Sequence, residues 1–496
     1  STTYIKGREV FRCLQTYMDM MVPEGFRKAQ NLYFERYDGQ AVTFRELLSS
    51  ANEILGEYTD ANLSQFERWF TQQGTPQITA QLLPQKGMTV IKVTQSCPHP
   101  RTGKPQKPFL IPFSYELLNE DGTVALAKVS CVLSEETHTY EIPLEGRFIP
   151  VFMHGYSAPV ILNYEYTLEE LGCLMQHETD SFSRWEAGQN YSLMIFSEVL
   201  ARLEKKNNPD LTDLLKPYCA ALQSQKLSPL AKAQLLQIPS IRAISQKFND
   251  YDFIKLKKAR EHFIRQLAAT AKPQLQQLIE KYPQPLVYAP TSEQMQAREL
   301  RNCCLRLLSE IDPIHAQNLL EIYKSAGNFD TSFVSFRIFT DLKSPLKTEV
   351  ISDFYEKWKN DKAVFNYWLG AQASSLTCTV SDLKKLMSVD GFDSKNPNHL
   401  RTVLCTFMAN LGQYHDPKGE GYAFIVDQIL TVAKFNSKVA HNDLTVSAFM
   451  DFENVPKKQQ ALMIREMKRL LSSAALPETR DLIQKMLEQA TNPLHK

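Results

Sequence analysis

The chain has 496 residues, too many for one hydrophobic core, and its length alone predicts about three domains. Its 56 Lys and Arg against 55 Asp and Glu leave a formal net charge of +1, so no global field argues for nucleic acid or an anionic membrane as a partner. Nine cysteines without a C-x-x-C spacing suit a reducing compartment, no apolar run reaches the ~20 residues of a membrane span, and the N-terminus lacks a signal-peptide pattern, so a cytoplasmic protein is expected. The first residue is Ser1 rather than Met, which fits either Met removal or sequence lying upstream.

The opening stretch, Thr3 to Val10, places Tyr4 directly ahead of a helix with an acidic first turn. Two readings of Tyr4 stand side by side: a packing or frayed residue near a terminus, or a neutral phenol that donates a hydrogen bond to an oxyanion. From Glu9 to about Phe70 the pattern is helical. Val10, Leu14, Tyr17, Met18 and Met21 recur at three and four along one helix face. Pro23-Glu24-Gly25 breaks that helix, and Phe26, Ala29, Leu32, Tyr33 and Tyr37 line a second one, which ends at Asp38-Gly39. Thr43 with Glu46, and Ser64 with Glu67, have capping-box spacing and predict two more starts. Gly74-Thr75-Pro76 closes the segment.

At Gln77 the pattern changes. Segments 77–83, 89–95, 109–116, 124–133, 138–142, 148–152 and 160–166 are rich in β-branched and aromatic residues and are separated by Pro98-His99-Pro100, Asp121-Gly122 and Glu145-Gly146. Short strands at this spacing predict a β-sandwich over 77–166. After Thr167 helical patterning runs to the end. Ser228-Pro229, Asp312-Pro313, Ser344-Pro345 and Asn396-Pro397 each pair a cap with a proline that has no amide to leave unsatisfied, and so mark helix starts. Helices joined by short connections lie antiparallel, and so many cannot wrap one core. A stack of helix pairs, an α-solenoid, is expected over 167–496. Pro283 to Pro290 reads as an extended connection within it, and the basic run Lys255 to Arg260 as a solvated helix face.

The motifs of most enzyme classes are missing. There is no H-E-x-x-H, Walker loop, G-x-G-x-x-G or G-x-S-x-G, and the ten histidines are dispersed. Pairs such as Glu261-His262 and His177-Glu178 point to different helix faces, so no metal is expected on this chain's own residues. Taken alone, these features define a sandwich followed by an α-solenoid, which serves a binding scaffold as readily as an enzyme.

Several short segments resemble, in order, the C-terminal portion of the bacterial aminopeptidase N family, the zinc alanyl aminopeptidases of the gluzincin class. They are Tyr4 ahead of Lys6-Gly7 and Val10, then Leu32-Tyr33-Phe34-Glu35-Arg36 with Asp38-Gly39, and Trp69 followed by Gly74-Thr75-Pro76. Phe182-Ser183-Arg184-Trp185, Leu300-Arg301-Asn302, Asn396-Pro397-Asn398 and Gly421-Tyr422 continue the likeness. Each is weak; their shared order along nearly the whole chain is specific.

The resemblance implies a multidomain α+β protein. Residues 1–76 would be the C-terminal helical part of a thermolysin-like catalytic domain, 77–166 a β-sandwich, and 167–496 a helical superhelix that caps the active site. It implies a zinc cofactor held by upstream segments of the same protein and absent from this chain, which alone would be inactive. Short peptides and amino acids would be the ligands, with release of N-terminal residues as the reaction. Tyr4 would be the transition-state tyrosine. Arg401 matches a family arginine facing an internal cavity, where it would meet a peptide carboxylate; the competing reading is a helix-surface ion pair. A second basic position in a Val-Ala-x-Arg segment reads Val439-Ala440-His441-Asn442 here, which puts a two-arginine clamp in doubt. The rival function is a free-standing α-solenoid that binds peptides or proteins without catalysis. A chain cut inside a catalytic domain is also expected to expose Val10, Leu14 and Met18.

Overall fold

The computed structural model describes residues 2–248, 252–311, 315–473 and 477–491, and the chain divides into two compact units, Ser1–Tyr191 and Ser192–Lys496.

In the first unit a π-turn over Thr2–Lys6 leads into α1 (Gly7–Met21), followed by α2 (Gly25–Tyr37), α3 (Phe44–Gly56) and the short α4 (Arg68–Thr71). The apolar face of α1 is buried as its spacing requires: Val10, Cys13, Leu14, Tyr17 and Met18 all lie in the core. This corrects the expectation that Val10, Leu14 and Met18 would be left open. Helices α1 and α2 approach closely at Gly25, where a Cβ would stand 2.7 Å from the Met18 carbonyl oxygen.

The capping box of α3 forms, with the Thr43 hydroxyl accepting from Arg45 N at 3.2 Å and the Glu46 carboxylate accepting from Thr43 N at 2.7 Å. The second expected box does not. The Ser64 hydroxyl donates to Asn62 Oδ1 and Glu67 accepts from Arg45 Nε at 2.9 Å, so both partners are engaged elsewhere and only a turn precedes α4.

Seven strands follow: β1 (Gln77–Gln85), β2 (Met88–Ser96), β3 (Ile111–Leu118), β4 (Val124–Leu133), β5 (Thr137–Ile142), β6 (Ile149–Phe152) and β7 (Ile161–Asn163). They form two sheets, β5-β2-β1-β7 and β4-β3-β6, antiparallel except for the β1–β7 pair. Ile78, Ala80, Ile91 and Val93 of the first sheet share one core with Ile111, Phe113, Tyr115 and Leu117 of β3, and the Tyr115 and Tyr140 rings lie 5.5 Å apart. Strand β3 is central in its sheet and every one of its residues is buried, with α1 packed on it. After the sandwich come α5 (Leu168–His177) and the start of α6 (Ser181–Lys205). A capping box at Thr167 opens α5, with the Glu170 carboxylate accepting from Thr167 N at 2.8 Å.

Among the described residues the second unit holds helices and no strand. Sequential neighbours pack on one another: Lys272–Lys281 on Ser292–Leu308, Phe329–Asp341 on Leu346–Trp358, and that helix on Lys362–Ala373. Ser228 caps Pro229–Leu235 by accepting from Ala231 N at 3.2 Å, and Asn396 caps Pro397–Leu400 by accepting from Asn398 N at 2.9 Å. Ser344 accepts from Leu346 N at 3.2 Å with Pro345 already in the helical region. The expected start at Asp312-Pro313 lies outside the described residues. Residues 283–290 form no helix or strand, as expected.

The basic run at 255–260 is only half solvated. Lys255 and Lys258 are exposed, but Lys257 donates to the Leu376 carbonyl at 2.8 Å and Arg260 to the Pro239 carbonyl at 2.8 Å. Burial lowers both pKa values, that of Arg260 to about 10. Helix periodicity turns these two inward, where main-chain carbonyls from other segments receive them.

Candidate functional site

Tyr4 sits in the π-turn ahead of α1 with 83% of its side-chain surface exposed, so it is not a core residue. The turn is anchored just behind it. Lys6 Nζ donates to the Gly74 carbonyl, which brings together the two ends of the opening helical segment. Gly74 has a φ of 102°, a region closed to most side chains, and its α-carbon lies against the Cys97 thiol. Trp69 fixes the same end by donating its indole N–H to the Leu110 carbonyl at 2.9 Å. Arg12, which no sequence motif marks, belongs here as well. Arg12 of α1 donates from Nε to Glu9 Oε2 at 2.9 Å and from its Nη atoms to the carbonyls of Gly155, at 2.8 Å, and Tyr156. Its guanidinium also stands 4.8 Å from the Tyr156 ring centroid. The helix behind Tyr4 is thereby held to the sandwich by directional bonds as well as by its apolar face.

Arg401 lies in the second unit, on a π-turn over Arg401–Cys405 that follows Pro397–Leu400. Its Nε donates to Asp443 Oδ2 at 2.8 Å, and the side chain is about half exposed. Asp443 directly follows the Val439-Ala440-His441-Asn442 segment that departs from the family's second basic position, and His441 Nδ1 lies 3.0 Å from the Thr479 hydroxyl. The surface ion-pair reading of Arg401 therefore describes its resting contact. A carboxylate ligand would have to compete with Asp443 or bind through the outer face of the guanidinium.

A cavity of about 440 Å³ in the second unit is lined by other charged groups: Arg260, Arg306, Arg337, Glu310 and Asp341. Burial lowers the pKa of Arg337, and burial followed by repulsion from Asp341 and Glu261 raises that of Glu310. Three arginines against two carboxylates give this pocket an excess positive charge that suits a small anionic ligand.

Among the described residues no helix is long and apolar enough to cross a membrane. All nine cysteines are free thiols.

The architecture is an immunoglobulin-like sandwich followed by an armadillo-type helical array, and comparison with known families agrees. A profile described as "Domain of unknown function (DUF3458) Ig-like fold" matches residues 74–165, and one described as "Domain of unknown function (DUF3458_C) ARM repeats" matches 168–488. The chain belongs to this DUF3458_C ARM-repeat family. It is homologous to the C-terminal part of bacterial aminopeptidase N. Aminopeptidase N of Escherichia coli (strain K12) is 28% identical over 455 residues, covering 88% of this chain and 51% of the relative. That of Haemophilus influenzae is 27% identical over 504 residues, covering 98% and 56%. Among solved structures, Legionella pneumophila aminopeptidase A in complex with aspartic acid superposes with a TM-score of 0.83 at 25% identity, over 99% of this chain and 57% of that one. The chain spans about half the length of the relatives it matches.

Proposed function

We propose that residues 1–496 act as the C-terminal portion of a zinc aminopeptidase that releases N-terminal residues from short peptides. In this reading 1–76 complete a thermolysin-like catalytic domain, 77–166 are its β-sandwich and 167–496 its helical domain. The observation that carries it is homology to aminopeptidases along nearly the whole chain, with Tyr4 exposed on an anchored turn at its head. The aspartic acid complex of the Legionella relative supports an amino-acid or peptide ligand.

The residues present do not fit the catalytic zinc of that class. The chain contains no H-E-x-x-H, so the metal and the base that activates water would come from other segments of the protein. The part derived from this chain is the oxyanion contact. A phenol hydroxyl is a hydrogen-bond donor. Tyr4 would direct its O–H at the scissile carbonyl oxygen as that oxygen gains charge, a bond stronger in the transition state than in the ground state. Arg401 would hold the peptide's carboxylate.

The test is Tyr4→Phe in the full-length enzyme, assayed on an amino-acid anilide. Removing one oxyanion donor lowers kcat by about 10²–10³, or roughly 2.7–4 kcal/mol, with zinc content unchanged. An unaltered kcat would end the assignment.

A further inference from the structure

A charged side chain is out of place on a strand buried on both faces, and β3 carries one. Glu116 is 6% exposed and sits where the β3–β4 register shifts between Tyr115 and Leu117, an irregularity of the kind that re-aims a side chain. On the neighbouring strand β6 it stands opposite Val151. The turn leaving β6 is strained: Met153 (φ 57°), Gly155 (70°) and Tyr156 (53°) all occupy the left-handed region. It is held from several sides. Met153 N donates to the Ser114 carbonyl at 2.9 Å, Gly155 N to Asp180 Oδ1 at 3.1 Å, and Arg12 to the carbonyls of Gly155 and Tyr156. Those bonds present His154 to Glu116.

The third member arrives from the end of α5. Glu178 is 2% exposed, and its carbonyl is fixed by Arg184 Nη1 at 2.6 Å. His154 Nε2 lies 3.6 Å from Glu116 Oε2 and 3.7 Å from Glu178 Oε1, and one ligand atom from each residue falls within 4.8 Å of the others. These separations are too long for hydrogen bonds. Glu178 Oε1 accepts from Asp180 N at 2.7 Å, whereas Glu178 Oε2 is buried with no partner. Burial, reinforced by the facing Glu116, holds the Glu178 carboxyl above the usual carboxylate range despite the Asp180 bond. A buried carboxylate oxygen without a donor costs the protein stability as it stands.

We infer that Glu116, His154 and Glu178 form a binding site for a first-row divalent cation, with zinc the best-matched ion. One imidazole and two carboxylates are a borderline donor set of the kind zinc takes, whereas calcium and magnesium favour all-oxygen shells of six or more ligands. Bonds of about 2.1 Å place the donors of a tetrahedral ion about 3.4 Å apart. The two His–Glu separations match that within a few tenths of an ångström, and a water would complete the shell. The ion neutralises two facing carboxylates and ties β3, the turn at 153–156 and the end of α5 together. A protonated His154 between the two glutamates is the competing arrangement. It would leave both contacts beyond hydrogen-bond length. The site departs from the expectation that this chain holds no metal, and it does not depend on the aminopeptidase reading.

The experiment uses residues 1–496, stripped with chelator and titrated with Zn²⁺ by calorimetry, with metal analysis after gel filtration. The wild-type chain retains about one zinc and melts at a higher temperature with it. His154→Ala and Glu178→Gln each weaken zinc binding about a hundredfold or more, since loss of a mere supporting partner already costs 10–100-fold, and neither melts higher with zinc. His154→Cys, which keeps a zinc-competent donor, restores much of the affinity. A wild-type chain that retains no zinc overturns the inference whatever the variants do. So does zinc binding that survives unchanged in His154→Ala, which would place the ion elsewhere.

Discussion

His415 shows how burial alone sets a proton equilibrium. It is 2% exposed, stacked on Phe253 with ring centroids 4.7 Å apart, and its Nδ1 lies 2.7 Å from the Tyr422 hydroxyl. Burial lowers its pKa below 6.5, outweighing Asp451 at 3.7 Å, which pulls the other way. The folded chain thus keeps the ring neutral while the unfolded chain takes up a proton below about pH 6.5. This contribution to stability is complete above pH 6.5 and is lost as pH falls beneath it. Asp451 is also buried, but the neighbouring His415 and the Arg242 guanidinium, which donates to it at 2.5 and 2.9 Å, bring its pKa below the ordinary value. Its share is present above the unfolded pKa of about 3.9 and disappears only in stronger acid. The melting temperature should therefore decline between pH 7 and 5.5, and His415→Gln should flatten that decline. An equal slope in both proteins would show that other groups control it. None of this is legible in the sequence, where His415 is one histidine of ten.

At the scale of elements, periodicity and punctuation located the opening helices, three helix starts beyond Thr167 and all seven strands, because β-branched runs, capping hydroxyls and prolines act on their own neighbours. The failures are equally local to read in hindsight. Ser64 has capping-box spacing, yet its hydroxyl is taken by Asn62 and its expected glutamate by Arg45. Gly25 illustrates a constraint that spacing does not announce: it permits α1 and α2 to approach where a Cβ would meet the Met18 carbonyl at 2.7 Å. Gly25→Ala is expected to cost about 1–3 kcal/mol through overpacking, read as a lower urea midpoint. Backbone entropy argues for a small gain from the same change, so stabilisation would mean that the helices separate freely. Thr43→Ala removes a working cap and should cost about 1 kcal/mol in the same assay.

For the whole molecule, the connection at 283–290 is an accessible place to cut. Leu286 and Val287 are strongly exposed, at 105% and 76% of their reference surface. Limited proteolysis should nick the chain there, and the two fragments should elute together, because Lys272–Lys281 and Ser292–Leu308 pack on each other across the cut. Fragments that separate on gel filtration would mean that this packing is too weak to hold the array.

The sequence by itself determined the order of the architecture, an opening helical segment, a sandwich and a helical array, and it carried the aminopeptidase resemblance that homology then supported. These signals are local or additive along the chain, so they survive without knowledge of the fold. The tertiary structure alone decided that Lys257 and Arg260 turn inward, that Arg401 rests on Asp443, and that Glu116, His154 and Glu178 face one gap. In each case the partners are far apart along the chain. They meet only because packing of apolar faces has already met the entropy of bringing them together.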